Sequence, residues 1–177
     1  MQQLLMIYPP ARGMPAWATP PDYALRSYRE GQDDEAMTEL MHSAGFADWG
    51  HEHLREVRRS ALPRGGIFAI HLPSGSVAAS AVASHRPTAE YPFGAEMGWL
   101  ACAPDHRGRG LGYVVTAAAT RRMLESHYKD IYLLTDDFRL AAIKTYLNMG
   151  WLPVMHDHDM PERWRKLRMA IGLPEEV

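Results

Sequence analysis

The segment CAPDHRGRGLGYVV, residues 102–115, joins an apolar, strand-like run to an alanine-rich run of helix-forming residues. Three glycines and two arginines fall within residues 107–112, although each glycine weakens regular structure. The first N–H groups of a helix have no partner inside the helix and carry the positive end of its dipole, so they bind anions, usually phosphate. The segment therefore predicts a phosphate-binding loop between a strand and a helix, or else a glycine-rich turn with solvated arginines.

Two common nucleotide-binding patterns do not fit this loop. The P-loop pattern ends in Lys followed by Ser or Thr, and no such pair follows the glycines here. The dinucleotide pattern needs a third glycine at the position of Tyr113, and the chain lacks the expected succession of alternating strands and helices. The residues alone thus predict an anion site without naming its ligand.

The apolar periodicity along the chain predicts a mixed α/β domain. We expect a short strand within the first ten residues, helices at residues 31–46, 50–62, 112–128 and 136–150, and strands at residues 22–29, 65–72, 76–86, 95–103, 130–135, 151–156 and 165–172. Asp33 or Asp34 is expected to cap the first helix, and Asp136 or Asp137 the last. Five prolines between residues 9 and 21 predict an extended segment. We therefore divide the chain into a proline-rich arm, residues 1–21, and one domain, residues 22–177.

Composition excludes several classes of function. The net charge of −2 lacks the basic excess of a general nucleic-acid binder, so we expect no nucleic-acid partner. No run approaches the roughly 20 apolar residues of a membrane span, and the apolar start is too short for a signal peptide. The single cysteine, Cys102, forms no intramolecular disulfide and suits a reducing setting. We expect a cytoplasmic protein without a membrane partner, either a monomer or a homodimer.

Two motifs give the chain a specific resemblance. LACAPDHRGRGLG resembles the acetyl-CoA-binding motif of the GNAT superfamily of N-acetyltransferases, with Arg107, Gly110 and Gly112 at its fixed positions. Farther along, Tyr146, four residues before a glycine and an aromatic residue, matches the second motif of the family. The predicted order of elements also fits this family from about residue 22 onward.

The resemblance implies a fold and a cofactor site. The fold is a mixed, mostly antiparallel sheet of six to seven strands flanked by about four helices, with the family's fourth and fifth strands splayed apart. WLACA would end the fourth strand. The backbone of Leu100, Ala101 and Cys102 would pair with the pantetheine arm of acetyl-CoA, and the N–H groups of Arg107, Gly108, Arg109, Gly110, Leu111 and Gly112 would hold its pyrophosphate. Arg139 stands where many members have an asparagine that contacts the cofactor, so it is either a cofactor contact or a solvated helix residue.

The resemblance also implies catalytic residues. Tyr146 would act as the general acid beside the thioester sulfur, with a core-packing tyrosine as the alternative. Glu96 lies eleven residues before Arg107, where some members carry a glutamate base. Its apolar neighbours favour a raised carboxylate pKa, although a solvent-facing glutamate, or a water chain from His85, is the alternative.

Other reactive side chains have simpler interpretations. Cys102 is interpreted as a small core residue rather than a nucleophile, because a lone apolar-strand cysteine usually packs. The sequences HEH at residues 51–53 and HDHD at residues 156–159 lack enough partners for a metal site, so no metal is expected. His51 and Glu52, with Trp49, are expected to border the acceptor pocket.

Together these features imply an acetyl-CoA-dependent N-acetyltransferase that moves an acetyl group directly to a primary amine of a small molecule or a peptide. Two alternatives remain at this stage. One is a non-catalytic CoA-binding or protein-interaction module with the same fold, because fold does not fix function. The other is an acyltransferase that uses another acyl-CoA. The sequence does not identify the amine, because the acceptor pocket is formed by loops.

Overall fold

The computed structural model describes residues 2–174. Within them the strands are β1 (Leu4–Ile7), β2 (Tyr23–Ser27), β3 (Ala61–His71), β4 (Val77–His85), β5 (Ala95–Cys102), β6 (Ile131–Thr135) and β7 (Leu152–Pro153). The helices are α1 (Asp34–Ser43), α2 (His51–Ser60), α3 (Leu111–Glu125), α4 (Leu140–Met149) and α5 (Met160–Ala170). The strands form one sheet in the order β2-β3-β4-β5-β6-β1-β7. The predicted fold class is therefore confirmed.

Two apolar cores lie on opposite faces of this sheet. Ala81 and Ala83 of β4 belong to a core that includes residues of α3, α4 and α5, whereas the intervening Val82 packs with residues of α1 and α2. Successive strand residues point to opposite faces, so the two helix groups cover the two faces. The small alanine side chains of β4 let α3 pack closely against the middle of the sheet.

The sheet opens between β5 and β6, the only parallel neighbours in the described chain. These strands pair at Ala95 with Ile131 and at Glu96 with Tyr132, and no further pairing follows. Just beyond this point β5 contains a bulge, in which Trp99 and Leu100 lie opposite the single residue Ala81. Such bulges bend a strand and redirect its side chains. β5 and β6 correspond to the fourth and fifth strands of the predicted domain, so the predicted splay is confirmed.

The start of the chain requires a correction to the predicted arm. β1 pairs antiparallel with both β6 and β7, and Leu4 and Met6 are completely buried. Residues 4–7 are therefore part of the sheet, and only the segment after them forms a connection to β2. The apolar run LLMI was predicted as a strand, but its pairing with residues about 130 positions away has no local signal.

The end of the chain requires a second correction. Residues 165–172 were predicted as a strand, yet most of them lie in α5. Met160, Trp164, Leu167 and Ile171 are buried at helical spacing, and Pro161 suits the first turn of a helix. In the described residues β7 is the last strand of the sheet, and β1 lies between it and β6.

The helices are otherwise close to their predicted positions. Asp33 precedes α1 as expected, and Gly150 ends α4 with a left-handed φ of 99°. However, Arg139 rather than Asp136 or Asp137 is the residue at the N-cap of α4. Among residues 2–174, no helix has both the length and the apolar character needed to cross a membrane.

Candidate active site

The opening between β5 and β6 forms a cavity of about 380 Å³. Its walls come from β5, the end of β6, the face of α4 that carries Ala142 and Tyr146, and α2 with the loop before it. The cavity brings together four residues that the sequence singled out: Glu96, Leu100, Arg139 and Tyr146. Glu96 and Leu100 belong to β5, whereas Tyr146 belongs to α4 and Arg139 is its N-cap, so these residues meet because the sheet opens between β5 and β6.

The glycine–arginine loop lies between β5 and α3, as predicted. Gly108 and Gly110 have φ values of 74° and 78°, in the left-handed region that favours glycine, and Gly110 is the N-cap of α3. In the described chain, the N–H of Arg107 bonds to the carbonyl of Pro104 and that of Val114 bonds to Gly110. The N–H groups of residues 108–113 between them have no acceptor within residues 2–174.

This arrangement corrects the predicted set of donors by one residue. The N–H of Arg107 is already used within the protein, so it is not free for a pyrophosphate. A Cβ atom built on Gly108, Gly110 or Gly112 would meet no protein atom within 4 Å, so a ligand can approach the backbone from that side. Leu111 is almost fully buried and anchors the loop to the core. The loop therefore presents unbonded N–H groups on a side that a ligand can reach, and the buried Leu111 fixes the loop to the core.

Tyr146 lies on the face of α4 that lines the cavity. Arg139 precedes α4, and Ala142 and Tyr146 follow at helical spacing, so all three side chains border the same space. The Tyr146 side chain is otherwise buried. Burial raises the pKa of its hydroxyl, and the positive charge of Arg139 opposes this only in part. The phenol therefore stays protonated near neutral pH and keeps a hydrogen to donate.

Glu96 belongs to a chain of three charged groups at the base of the cavity. Its Oε2 lies 3.0 Å from Nε of Arg86, and the same guanidinium also pairs with Glu56 of α2. The Glu96 side chain is 15% exposed. Burial raises the pKa of this carboxyl, Arg86 lowers it, and Glu56 raises it further. The expectation of a raised pKa agrees with this environment, and a solvent-facing Glu96 is excluded.

Arg139 is held in place by three neighbours. Its Nε donates to Oδ2 of Asp136 at 3.2 Å, and its guanidinium carbon lies 4.3 Å from the ring centre of Phe46 and 5.2 Å from that of Phe138. These distances are typical of cation–π contacts. The alternative of a freely solvated helix residue is therefore wrong. Since Phe46 belongs to the loop between α1 and α2, Arg139 connects the two sides of the cavity mouth.

Aromatic side chains form the wall of the cavity opposite α4. Trp99 contacts Trp49, His53 and Phe46 with ring-centre distances of 4.3, 5.3 and 6.1 Å. His53 also stacks on Trp49, and its Nδ1 accepts the N–H of Gly50, which places the proton of the neutral ring on Nε2. Trp99 itself has a φ of 52°, an uncommon value for a residue with a side chain. The bulge in β5 thus turns a large ring toward α2 and the loop before it.

Several other candidates lie away from this chemistry. His85 is exposed and its Nδ1 is 2.9 Å from the hydroxyl of Tyr128, so it does not line the cavity. His51 and Glu52, which were expected to border the pocket, are exposed and do not line the cavity. His53 and Glu56 of the same helix line it instead. Burial raises the pKa of the Cys102 thiol, which is unfavourable for a nucleophile. In the described part of the chain, no three His, Cys, Asp or Glu side chains cluster as a metal site.

Three residues that line this cavity were not predicted from the sequence: His53, Glu56 and Arg86. His53 and Glu56 are separated by three positions, so a helical projection of residues 50–62 places them on one face. That signal was available but did not show which face meets the cavity. Arg86 is 30 residues from Glu56 in sequence, and only the fold reveals that it joins Glu56 to Glu96.

Comparison with known proteins identifies the family of this chain. Residues 34–151 match the family model described as the acetyltransferase (GNAT) family. A mycothiol acetyltransferase from Thermobispora bispora is 25% identical over 147 residues, which cover 78% of this chain and 49% of that protein. The chain thus spans about half the length of this curated relative.

Solved structures share the fold. A GCN5-related N-acetyltransferase from Sphaerobacter thermophilus aligns with a TM-score of 0.64 and 16% identity, over 86% of this chain and 49% of that one. The NatC complex bound to Gag peptide and CoA aligns with a TM-score of 0.65 and 17% identity, over 78% of this chain and 92% of that one. With the family model covering most of the domain, the chain belongs to the GNAT family of acetyltransferases.

Proposed function

We propose that this protein is an acetyl-CoA-dependent N-acetyltransferase that acetylates a primary amine by direct transfer. The observation that carries the proposal is the cavity between β5 and β6, because Tyr146 and Glu96 both line it. A nearby helix start offers the unbonded N–H groups of residues 108–113. A phosphate-binding helix start and an acid–base pair beside one opening suit a ligand with both a pyrophosphate and a thioester.

The chain can hold acetyl-CoA along two surfaces. After Glu96, the edge of β5 that faces β6 is not paired with another strand in the described chain. Its backbone groups near Leu100, Ala101 and Cys102 can pair with the amides of a pantetheine arm. The N–H groups of residues 108–113 and the positive end of the α3 dipole can hold the pyrophosphate, with the exposed Arg107 and Arg109 side chains nearby.

Glu96 and Tyr146 supply the proton transfers of the reaction. An aliphatic amine has a pKa of about 10.4, so it arrives mostly protonated and must lose a proton before its nitrogen can attack. Glu96 accepts that proton, directly or through water. As the bond from nitrogen to the acetyl carbon forms and the bond from that carbon to sulfur breaks, Tyr146 donates its hydroxyl proton to the departing sulfur. The nitrogen loses its second proton as the amide forms, and this proton, passed directly or through water, restores the Tyr146 hydroxyl. Binding both reactants in one cavity lowers the barrier further.

The test is release of free thiol from acetyl-CoA in the presence of a panel of primary amines. We expect thiol and acetylated amine to appear in equal amounts. A parallel series with propionyl-CoA and malonyl-CoA checks the acyl group, and faster transfer from either would assign another acyl donor. Calorimetric binding of CoA without thiol release on any amine would contradict the proposal and favour a non-catalytic CoA-binding module.

A further inference from the structure

We propose that the acceptor is a monocationic primary amine that has an aromatic or apolar body and carries no carboxylate. This inference rests on the proposed N-acetyltransferase function and deepens it by naming the class of amine. It follows from the charges that line the cavity and from the aromatic rings on the side of α2.

The side chains that line the cavity include one more carboxylate than guanidinium groups. Three carboxylates line it, those of Glu56, Glu96 and Asp136, together with two guanidiniums, those of Arg86 and Arg139. The difference between three negative and two positive charges is one negative charge among the described lining residues. A single ammonium group balances this charge, whereas a zwitterionic amino acid adds a carboxylate without balancing it.

Neither guanidinium is available for a carboxylate on the acceptor. Arg86 lies between Glu56 and Glu96 and pairs with both. Arg139 pairs with Asp136 and packs against the ring of Phe46. An acceptor carboxylate would have to displace one of these pairs, and the displaced Glu or Asp would then lack its partner inside the cavity.

The aromatic wall favours an apolar body on the amine. Phe46, Trp99 and His53 line the cavity next to the Glu56–Arg86–Glu96 chain. Aromatic faces attract an ammonium group through cation–π contacts and gain from burying apolar surface. An amine whose nitrogen lies at Glu96 therefore places its body along these rings.

Three acceptors that share a benzyl group separate the contributions. Phenethylamine lacks the carboxylate, phenylalanine has it, and phenylalanine amide has a neutral carboxamide in its place. Each is titrated by calorimetry into the protein saturated with CoA at pH 6.5, where all three amines are mainly protonated, and each is assayed by thiol release with acetyl-CoA. We expect the two carboxylate-free compounds to bind at least about tenfold more tightly than phenylalanine, because like charges in a partly buried site repel.

A fourth acceptor tests the contribution of the aromatic ring to binding. Propylamine has the same ammonium group without the ring, and we expect it to bind about tenfold more weakly than phenethylamine. Equal or tighter binding of phenylalanine, equal binding of propylamine, or no binding of any amine would overturn the inference. If the expected order of binding is found but no amine releases thiol, the proposed transferase function fails while the assignment of the binding class stands.

A pair of variants on α2 links the selectivity to the structure. Glu56→Gln removes the surplus negative charge, so we expect the preference for phenylalanine amide over phenylalanine to fall severalfold. Glu52→Gln is the matched control, since Glu52 lies on the same helix, is exposed and does not line the cavity. An unchanged preference in Glu56→Gln would contradict the charge argument.

Discussion

The ion-pair chain of Glu56, Arg86 and Glu96 predicts that neutral substitutions of Arg86 and of Glu56 shift the pH dependence of activity in opposite directions. If Glu96 is the base, activity falls as the pH falls through its pKa, because the protonated carboxyl cannot accept a proton. Arg86→Met removes a positive charge that lowers this pKa, so the loss of activity should move to higher pH. Glu56→Gln removes a negative charge that raises it, so the loss should move to lower pH.

The structure sets the size of both shifts. At the 3.0 Å between Arg86 Nε and Glu96 Oε2, the attraction is about 1.4 kcal/mol at the dielectric constant of water and about 2.8 kcal/mol at half that value. One pKa unit corresponds to about 1.36 kcal/mol. The Arg86 side chain is 43% exposed, which favours the smaller figure. We therefore expect an upward shift of about one unit for Arg86→Met and a downward shift of about half a unit for Glu56→Gln, whose charge lies beyond Arg86.

The assay is the pH profile of kcat/KM for thiol release, measured for the parent protein and both variants from pH 5 to pH 9. Tyr132 pairs with Glu96 across the sheet, but burial raises its pKa to about 12, so it stays neutral over this range. Arg55→Met is the control, because Arg55 is an exposed arginine of α2 that pairs with Glu52. Shifts of the same sign in both variants, or an unmoved acidic limb in both, would refute Glu96 as the base.

Three further outcomes follow from the fold and the site. Tyr146→Phe should slow turnover by about 10²-fold with little change in CoA affinity, and an unchanged rate measured by thiol release would remove its role as the acid. Gly110→Val should weaken CoA binding in calorimetry, whereas Gly75→Val, which is strained in the same way at a distant turn, should not; equal effects would contradict the phosphate-loop assignment. Leu4→Ala should lower the free energy of unfolding by about 2–5 kcal/mol in urea titrations, and a negligible loss would contradict the place of β1 in the core.

The position of the glycine loop and of Tyr146 could be predicted because the signals for both are local. The strand, the glycine loop and the start of α3 occupy one continuous segment, and left-handed glycines at a helix start have a direct physical reason. Tyr146 and Gly150 lie within a single helix and its end. Such features can be predicted from a short stretch of sequence, without knowing which strands are neighbours in the sheet.

The cavity wall formed by α2 could not be predicted because it depends on distant contacts. Glu56, Arg86 and Glu96 meet only when α2 packs over β4 and β5, and no local pattern identifies that packing. The position of β1 beside β6 has the same origin. For α5, the window of residues 165–172 was too short to show the helical spacing that begins at Met160 and Trp164.

A crystal structure with bound CoA tests the central claim most directly, namely that the opening between β5 and β6 is the cofactor site. We expect the pyrophosphate oxygens within about 3 Å of N–H groups from residues 108–113. We also expect the pantetheine arm along β5 near Leu100 and the sulfur beside the Tyr146 hydroxyl. CoA bound elsewhere on the protein, with the opening and the N–H groups untouched, would contradict the assignment.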